Sequence, residues 1–231
     1  AKRIIKAKMN NQLVILRRYT RNNEKNIHVQ MKNIKYVRRK IENCKSIEEI
    51  MGYEGYSARN YFSALENLVD EEFAFSGRSR RPPKDEFNAL LSLGYSILTH
   101  EICAKIEKKG LNAYFGIMHS DKSGHAALAS DLIEEWRPVI VDSLVLALIN
   151  GHEIKKEHFI KMPDKESTYL TNEGKRIFIE KMEKRLQREI EYLEYLAYPV
   201  SFRQALDHQI EQFCKCLETG NVNDYYPVKI R

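Results

Sequence analysis

Four side chains have the types and spacing to handle a phosphodiester: Glu54, His119, Asp131 and Glu134. Asp131 and Glu134 stand three apart where a helical pattern begins, so their carboxylates share a face and repel unless something positive lies between them. By itself the pair favours helix capping over metal binding, because Asp-x-x-Glu ahead of an apolar run is close to a capping box and acids favour a helix N-terminus. His119 lies 12 residues before Asp131, in the irregular stretch GIMHSDKSGH. A lone loop histidine is ordinarily structural or solvated. A histidine loop running into an Asp-x-x-Glu helix can bring one imidazole and two carboxylates together. Mixed nitrogen and oxygen donors with open positions suit Mg²⁺ or Mn²⁺ in phosphodiester chemistry. Glu54 sits between Gly52 and Gly55, small neighbours that admit a metal or a sugar–phosphate backbone. Its helical face continues through Ala58, Tyr61 and Leu65, so it points inward and must be paired, protonated or ligated. The alternative is an exposed first-turn acid.

The elements that must position these groups are helical. Ile4, Ile5, Met9, Leu13 and Leu16 recur at three- and four-residue steps over 2–19, as do Ile27, Met31, Ile34, Val37 and Ile41 over 27–41. The polar TRNNEKN between them predicts a helical hairpin. Residues 47–69 read as a helix with Gly52 and Gly55 as possible joints. Residues 76–85 (SGRSRRPPKD) read as a loop, which Pro82-Pro83 stiffens. Helices follow over 86–109, ending near Gly110, and over 126–149, the most apolar segment, with 110–124 irregular between them. After a polar joint at 150–170 come amphipathic helices over 171–195 and 201–218 and an extended tail over 219–231. No convincing strand run occurs, so the fold class is mostly α.

The 231 residues are ample for a buried core, and no apolar run approaches a membrane span. Four cysteines make no disulfide framework, and Cys214 and Cys216 lack metal-knuckle spacing; all four read as reduced thiols. The net charge of +6 is uneven: residues 1–45 carry 14 Lys/Arg against 2 Glu, which leaves the rest of the chain net acidic. A basic segment on an acidic body is the footprint of a polyanion partner, although a solvated helix face gives the same count.

The strings EGYSARNYF, RRPPKDEFNALLSLGY, GLNAYFGIMH, SDLIEEWRPVIVD and YLTNEGKRIFIEKMEKRL occur in this order, after an opening NNQLVILRRYTR. Together they resemble the CRISPR-associated endonuclease and integrase family of spacer acquisition (the "Cas one" family), over nearly the whole chain. The resemblance implies an all-α, multi-helix catalytic lobe that lacks the family's N-terminal β domain, which fits a start without Met. It divides into 1–75 (basic hairpin and Glu-bearing helix), 76–150 (catalytic core with the His loop and Asp/Glu helix) and 151–231 (C-terminal helices and tail), within one lobe. By motif, Glu54 falls in the family's E-G-x-x-A pattern and His119 in its glycine-x-x-histidine loop. Asp131 and Glu134 fall in D-L-x-E-x-x-R-P. The implied catalytic residues are Glu54, His119 and Asp131. The implied ligands of Mg²⁺ or Mn²⁺ are the same three with Glu134, whose ligation varies among members. Two positions depart: Gly124-His125 replaces a Gly-Arg, and Ala127 a Ser. Tyr53 and Tyr56, on either side of Glu54, match no assignable position.

The implied reaction is attack of a 3′-hydroxyl of a short incoming DNA on a phosphodiester of the CRISPR array, with hydrolysis when water replaces the hydroxyl. No P-loop, GxGxxG or nucleophile elbow argues for another mechanism. Arg78, Arg80 and Arg81 before the prolines, and Arg17, Arg18, Arg38 and Arg39 in the hairpin, are the expected DNA-binding cations. Arg59 is off the face of Glu54, Arg137 is a partner for local acids, and Tyr114 is the aromatic best placed to approach substrate. The implied partners are double-stranded and branched DNA, a second copy through the full-length protein, and the small second universal adaptation subunit. No membrane is involved and the location is cytoplasmic. The competing function is a catalytically silent helical DNA-binding module.

Overall fold

A computed structural model describes residues 1–20, 26–119, 124–162, 166–193 and 195–230. Helix α1 (Lys2–Thr20) buries its predicted apolar positions and, beside them, Lys8, Asn11 and Gln12. A helix that buries a polar stripe must supply it with partners. Asn11 donates its side-chain amide to the carbonyls of Glu135 (2.9 Å) and Val228 (3.0 Å) and accepts from the Ile230 N–H (3.0 Å). Helix α2 (His28–Lys40) buries Met31, Ile34 and Val37, with Ile27 and Ile41 buried at its ends. The connection at 21–25 lies outside the described residues.

Helix α3 (Ile47–Glu66) starts where Ser46 Oγ accepts the Glu49 N–H at 3.2 Å. It runs unbroken through Gly52 and Gly55, which are not joints. A helical glycine costs about 1 kcal/mol, and burying Ile50, Tyr61 and Leu65 on one face outweighs that. Helix α4 (Glu86–Lys108) is capped by Asp85 and followed by Gly110 at φ 75°.

The expected helix over 126–149 is in fact four pieces. They are α5 (Ala127–Leu132), a 3-10 turn (Ile133–Glu135), a π-helical stretch (Arg137–Asp142) and α6 (Ser143–Asn150). Pro138 cannot donate a helical N–H, and the widened turn accommodates it. This broken rod is the most deeply buried segment, with Leu132, Trp136, Ile140 and Val145 fully enclosed.

The chain also holds strands that the sequence did not reveal. β1 (Phe159–Met162) pairs antiparallel with β2 (Ser167–Leu170) inside the polar joint, Phe159 opposite Leu170. β3 (Glu189–Ile190) pairs with β4 (Val200–Ser201), so helix α7 (Asn172–Gln187) stops short of its predicted end at 195. The strands are two to four residues long, and exposed Ile160 and Tyr169 blur any alternation. The first hairpin braces the arginine loop: the Thr168 N–H donates to Pro83 O (2.8 Å) and its hydroxyl to Lys84 O (3.1 Å).

Helix α8 (Phe202–Thr219) opens with a Ser201/Gln204 capping box and closes at Gly220, φ 65°. The tail then crosses α1 in extended form, burying Tyr225, Val228 and Ile230. One hydrophobic cluster links all parts, from Ile5 and Tyr61 through Leu98 and Trp136 to Phe178 and Leu206. Among the described residues no helix is long and apolar enough to cross a membrane, and all four cysteines are free.

Candidate active site

Asp131 does not cap a helix. It lies near the end of α5, fully buried, and takes the loop after α4 into its carboxylate. Oδ2 accepts the N–H groups of Ile117 (2.5 Å) and Met118 (2.9 Å); Oδ1 accepts that of His119 (3.2 Å). Oδ1 also meets His119 Nδ1 at 2.5 Å. Three successive backbone donors on one carboxylate fix the loop, and the Asp131–Nδ1 contact leaves Nε2 as the open imidazole nitrogen. Gly116 is required here for space. A Cβ there would stand 2.4 Å from His119 O and 3.1 Å from Asp131 Oδ2.

Glu54 and Glu134 meet around a different charge. Lys8, on the polar stripe of α1, pairs with Glu54 on α3 and lies 2.6 Å from Glu134 Oε2 in the 3-10 turn. Glu134 Oε1 pairs with Arg137 at 3.2 Å, as expected for that arginine. Burial pushes Glu134 up, but Arg137 and Lys8 outweigh it and hold the carboxyl down at about 2, with a further contribution from His119. Burial pulls Lys8 down, and Glu134 and Glu54 reverse this to a net rise. Lys8 and Glu134 are therefore both charged at neutral pH.

A second buried carboxylate supports the first. Asp142 accepts from Tyr95 Oη (2.5 Å) and Tyr61 Oη (2.9 Å), and burial raises it to about 6. Two guanidiniums stand over the Tyr95 ring, Arg137 at 4.9 Å and Arg78 at 5.4 Å from its centre. Arg78 also bonds Asn88 (2.8 Å) and Ser92 (3.1 Å) on α4. A small pocket is thus lined by Glu54, Lys8, Arg78, Arg80, Arg137 and Asp142, among others. It sets Lys8 and three arginines beside the carboxylates of Glu54 and Asp142.

A family model described as CRISPR associated protein Cas1 matches residues 1–184. The chain belongs to the Cas1 family. The CRISPR-associated endonuclease Cas1 of Mycobacterium tuberculosis (strain CDC 1551 / Oshkosh) is 38% identical over 221 residues, which cover 96% of this chain and 65% of that protein. The chain thus spans just under two thirds of that relative's length. Among solved structures, a partial Cas6-RT-Cas1–Cas2 complex superposes with a TM-score of 0.87 at 28% identity, covering 100% of this chain and 68% of that one. A casposase bound to integration product superposes at 0.85 with 26% identity, covering 96% and 60%.

The Cas1 motifs thus gather as two pairs, Glu54 with Glu134 across Lys8, and His119 with Asp131. Among the described residues no three His, Cys, Asp or Glu side chains surround a single point. The donors nevertheless fit a hard divalent ion in type and charge. Glu134 Oε2 is buried, and its counter-charge is the Lys8 ammonium 2.6 Å away. Of the expected DNA-binding arginines, Arg78 and Arg80 reach the pocket, while Arg81 is exposed nearby. Arg17, Arg38 and Arg39 repel one another on α1 and α2, with Arg38 on Asn10 (2.8 Å), and Arg18 faces Arg185 elsewhere. Arg59 stands over Tyr56, off the face of Glu54. Tyr114 is half exposed in its loop, and the His125 ring lies 6.0 Å from that of His119.

Sequence reasoning missed Lys8, Tyr95 and Asp142 as site residues. The signal for Lys8 was its spacing to Asn11 and Gln12, a polar stripe inside an otherwise apolar helix.

Proposed function

We propose that this chain is the catalytic helical part of a Cas1 integrase and endonuclease that inserts short DNA into a CRISPR array by 3′-hydroxyl attack on a phosphodiester. The observation that carries the reading is the buried Glu54–Lys8–Glu134 cluster opening onto Arg78, Arg80 and Arg137, with the Asp131-held His119 as the other motif pair. Glu54, Glu134 and His119 Nε2 would hold Mg²⁺ or Mn²⁺; Asp131 completes the motif and positions His119. The ion, when bound, supplies positive charge that polarises the scissile phosphate and acidifies the attacking hydroxyl. Arg78 and Arg80 bind non-bridging phosphate oxygens as they accumulate charge. Arg137 keeps Glu134 ionised and oriented, and the Tyr95–Asp142 unit holds both guanidiniums in place. Asp131 holds the imidazole so that Nε2 faces outward rather than rotating away.

The proposed partners are double-stranded and branched DNA, a second copy through the full-length protein, and the small adaptation subunit, as in the neighbouring Cas1–Cas2 assembly. Free thiols suit the reducing cytoplasm where that DNA lies. The N-terminal β domain of the family is proposed as a further part of the full-length protein. The silent DNA-binding reading keeps one observation in its favour, the separation of the motif acids into two pairs. Strand transfer on branched DNA decides between them. Activity with Mn²⁺ that vanishes with EDTA and in Glu54→Gln is expected. Metal-independent binding with no transfer, in a chain joined to its N-terminal domain, supports the silent module.

A further inference from the structure

Helices α2 and α3 enclose an open groove of about 760 Å³ on the side of α3 away from the acidic cluster. Tyr36 and Tyr56 stand in it, 58% and 39% exposed. Each ring is paired with a cation, Lys40 Nζ at 5.3 Å from the Tyr36 centre and Arg59 Cζ at 5.9 Å from that of Tyr56. Tyr53 also lines the groove, and its floor is open at Gly52, where a Cβ would meet nothing within 4 Å. Helix α2 carries Lys32, Lys35, Arg38, Arg39 and Lys40 and no acid, and of these Lys40 lines the groove. The acid in the lining, Glu49, is engaged by the Lys45 N–H at 2.7 Å. Among the described residues neither Lys40 nor Arg59 pairs with a carboxylate.

Single exposed aromatics are ordinary. Two cation-bearing rings in one open groove, whose lining acid is already engaged, form a stacking platform with its own counter-charges. Bases offer their faces to such rings only when unpaired, and the backbone that joins them is anionic. We infer that the α2–α3 groove binds an unpaired stretch of DNA, with bases stacked on Tyr36 and Tyr56 and phosphates on Lys40 and Arg59. This rests on the DNA reading above and extends it to a second site. Gly52, Tyr56 and Arg59 lie across α3 from Glu54, about one helix diameter, roughly 10 Å, away. A strand held here is therefore separate from the phosphate at the acidic cluster.

The test is fluorescence anisotropy on the whole chain with labelled oligothymidine of about 15 nucleotides, beside a blunt duplex. Tyr36→Ala and Tyr56→Ala are each expected to weaken oligothymidine binding about tenfold, and Tyr36→Phe to restore it. Gly52→Leu fills the floor and is expected to do the same with no loss of thermal midpoint. Duplex binding should change less than about twofold, and Tyr198→Ala, which removes an exposed ring outside the groove, should bind oligothymidine like the parent chain. Unchanged oligothymidine binding in the tyrosine and Gly52→Leu variants overturns the inference and leaves the groove to a protein partner. So does an equal loss for duplex, which marks general electrostatics, or parent-chain binding of duplex alone. A parent chain that binds neither probe overturns the DNA reading itself.

Discussion

The two acidic pairs of the site are neutralised in opposite ways. Asp131 is held by three backbone N–H groups and an imidazole, donors that belong to the loop it organises. Glu54 and Glu134 are held by Lys8 and Arg137, side chains on other elements. Backbone donors cannot leave without refolding the loop, whereas an ammonium on a flexible stem can turn away when another cation arrives. The first pair is architecture. The second, on the function proposed above, is an exchangeable charge site.

The largest test of that contrast is Lys8→Met. Removing the ammonium leaves two carboxylates facing each other in a buried place, which should cost about 3–5 kcal/mol in urea unfolding at neutral pH. Millimolar Mn²⁺ should recover much of that loss, read as a rise in thermal midpoint; a variant indifferent to Mn²⁺ breaks the idea of exchange. Asp131→Ala comes next. It strands three N–H groups, for a loss of about 3 kcal/mol that Mn²⁺ leaves unrepaired. Recovery by metal there would erase the distinction between the pairs. Gly116→Ala drives a methyl into His119 O and should cost about 2 kcal/mol while abolishing strand transfer.

The smallest effect is in pH. Glu134, held down from 4.5 to about 2, contributes stability that is present above pH 4.5 and lost as pH falls toward 2. Glu135, next in sequence, behaves in reverse. Burial raises it from 4.5 to about 8, although Val228 N–H and Tyr225 Oη both donate to it. Its contribution is present below pH 4.5 and lost as pH rises through 8. Glu135→Gln should therefore narrow the difference in urea midpoint between pH 5 and pH 8. An unchanged difference would show that Glu135 is ionised throughout.

The long helices were legible because their apolar residues keep one period, and Ile4, Met31 and Leu65 lie where that period puts them. The Glu, His and Asp motifs were legible as strings, and so was the role of Arg137. What the strings hid was who neutralises whom. Capping and loop-holding are both local jobs for an aspartate near a helix, and only the approach of residues 117–119 distinguishes them. Lys8 looked like one of many surface cations because burial depends on neighbours far along the chain. The breaks in the 126–149 helix were missed although Pro138 stands inside it, because the apolar runs on either side read as one continuous helix. The short strands were missed because two- to four-residue ladders are set by the partner strand.

The tail completes the first helix: Ile230 closes the hydrogen bonding of Asn11, 219 positions earlier. On a ribosome adding roughly 5–20 residues per second, that amide waits about 10–40 seconds for its partner. During synthesis α1 therefore exists with an unfilled seam until the stretch that carries Ile230 has been made.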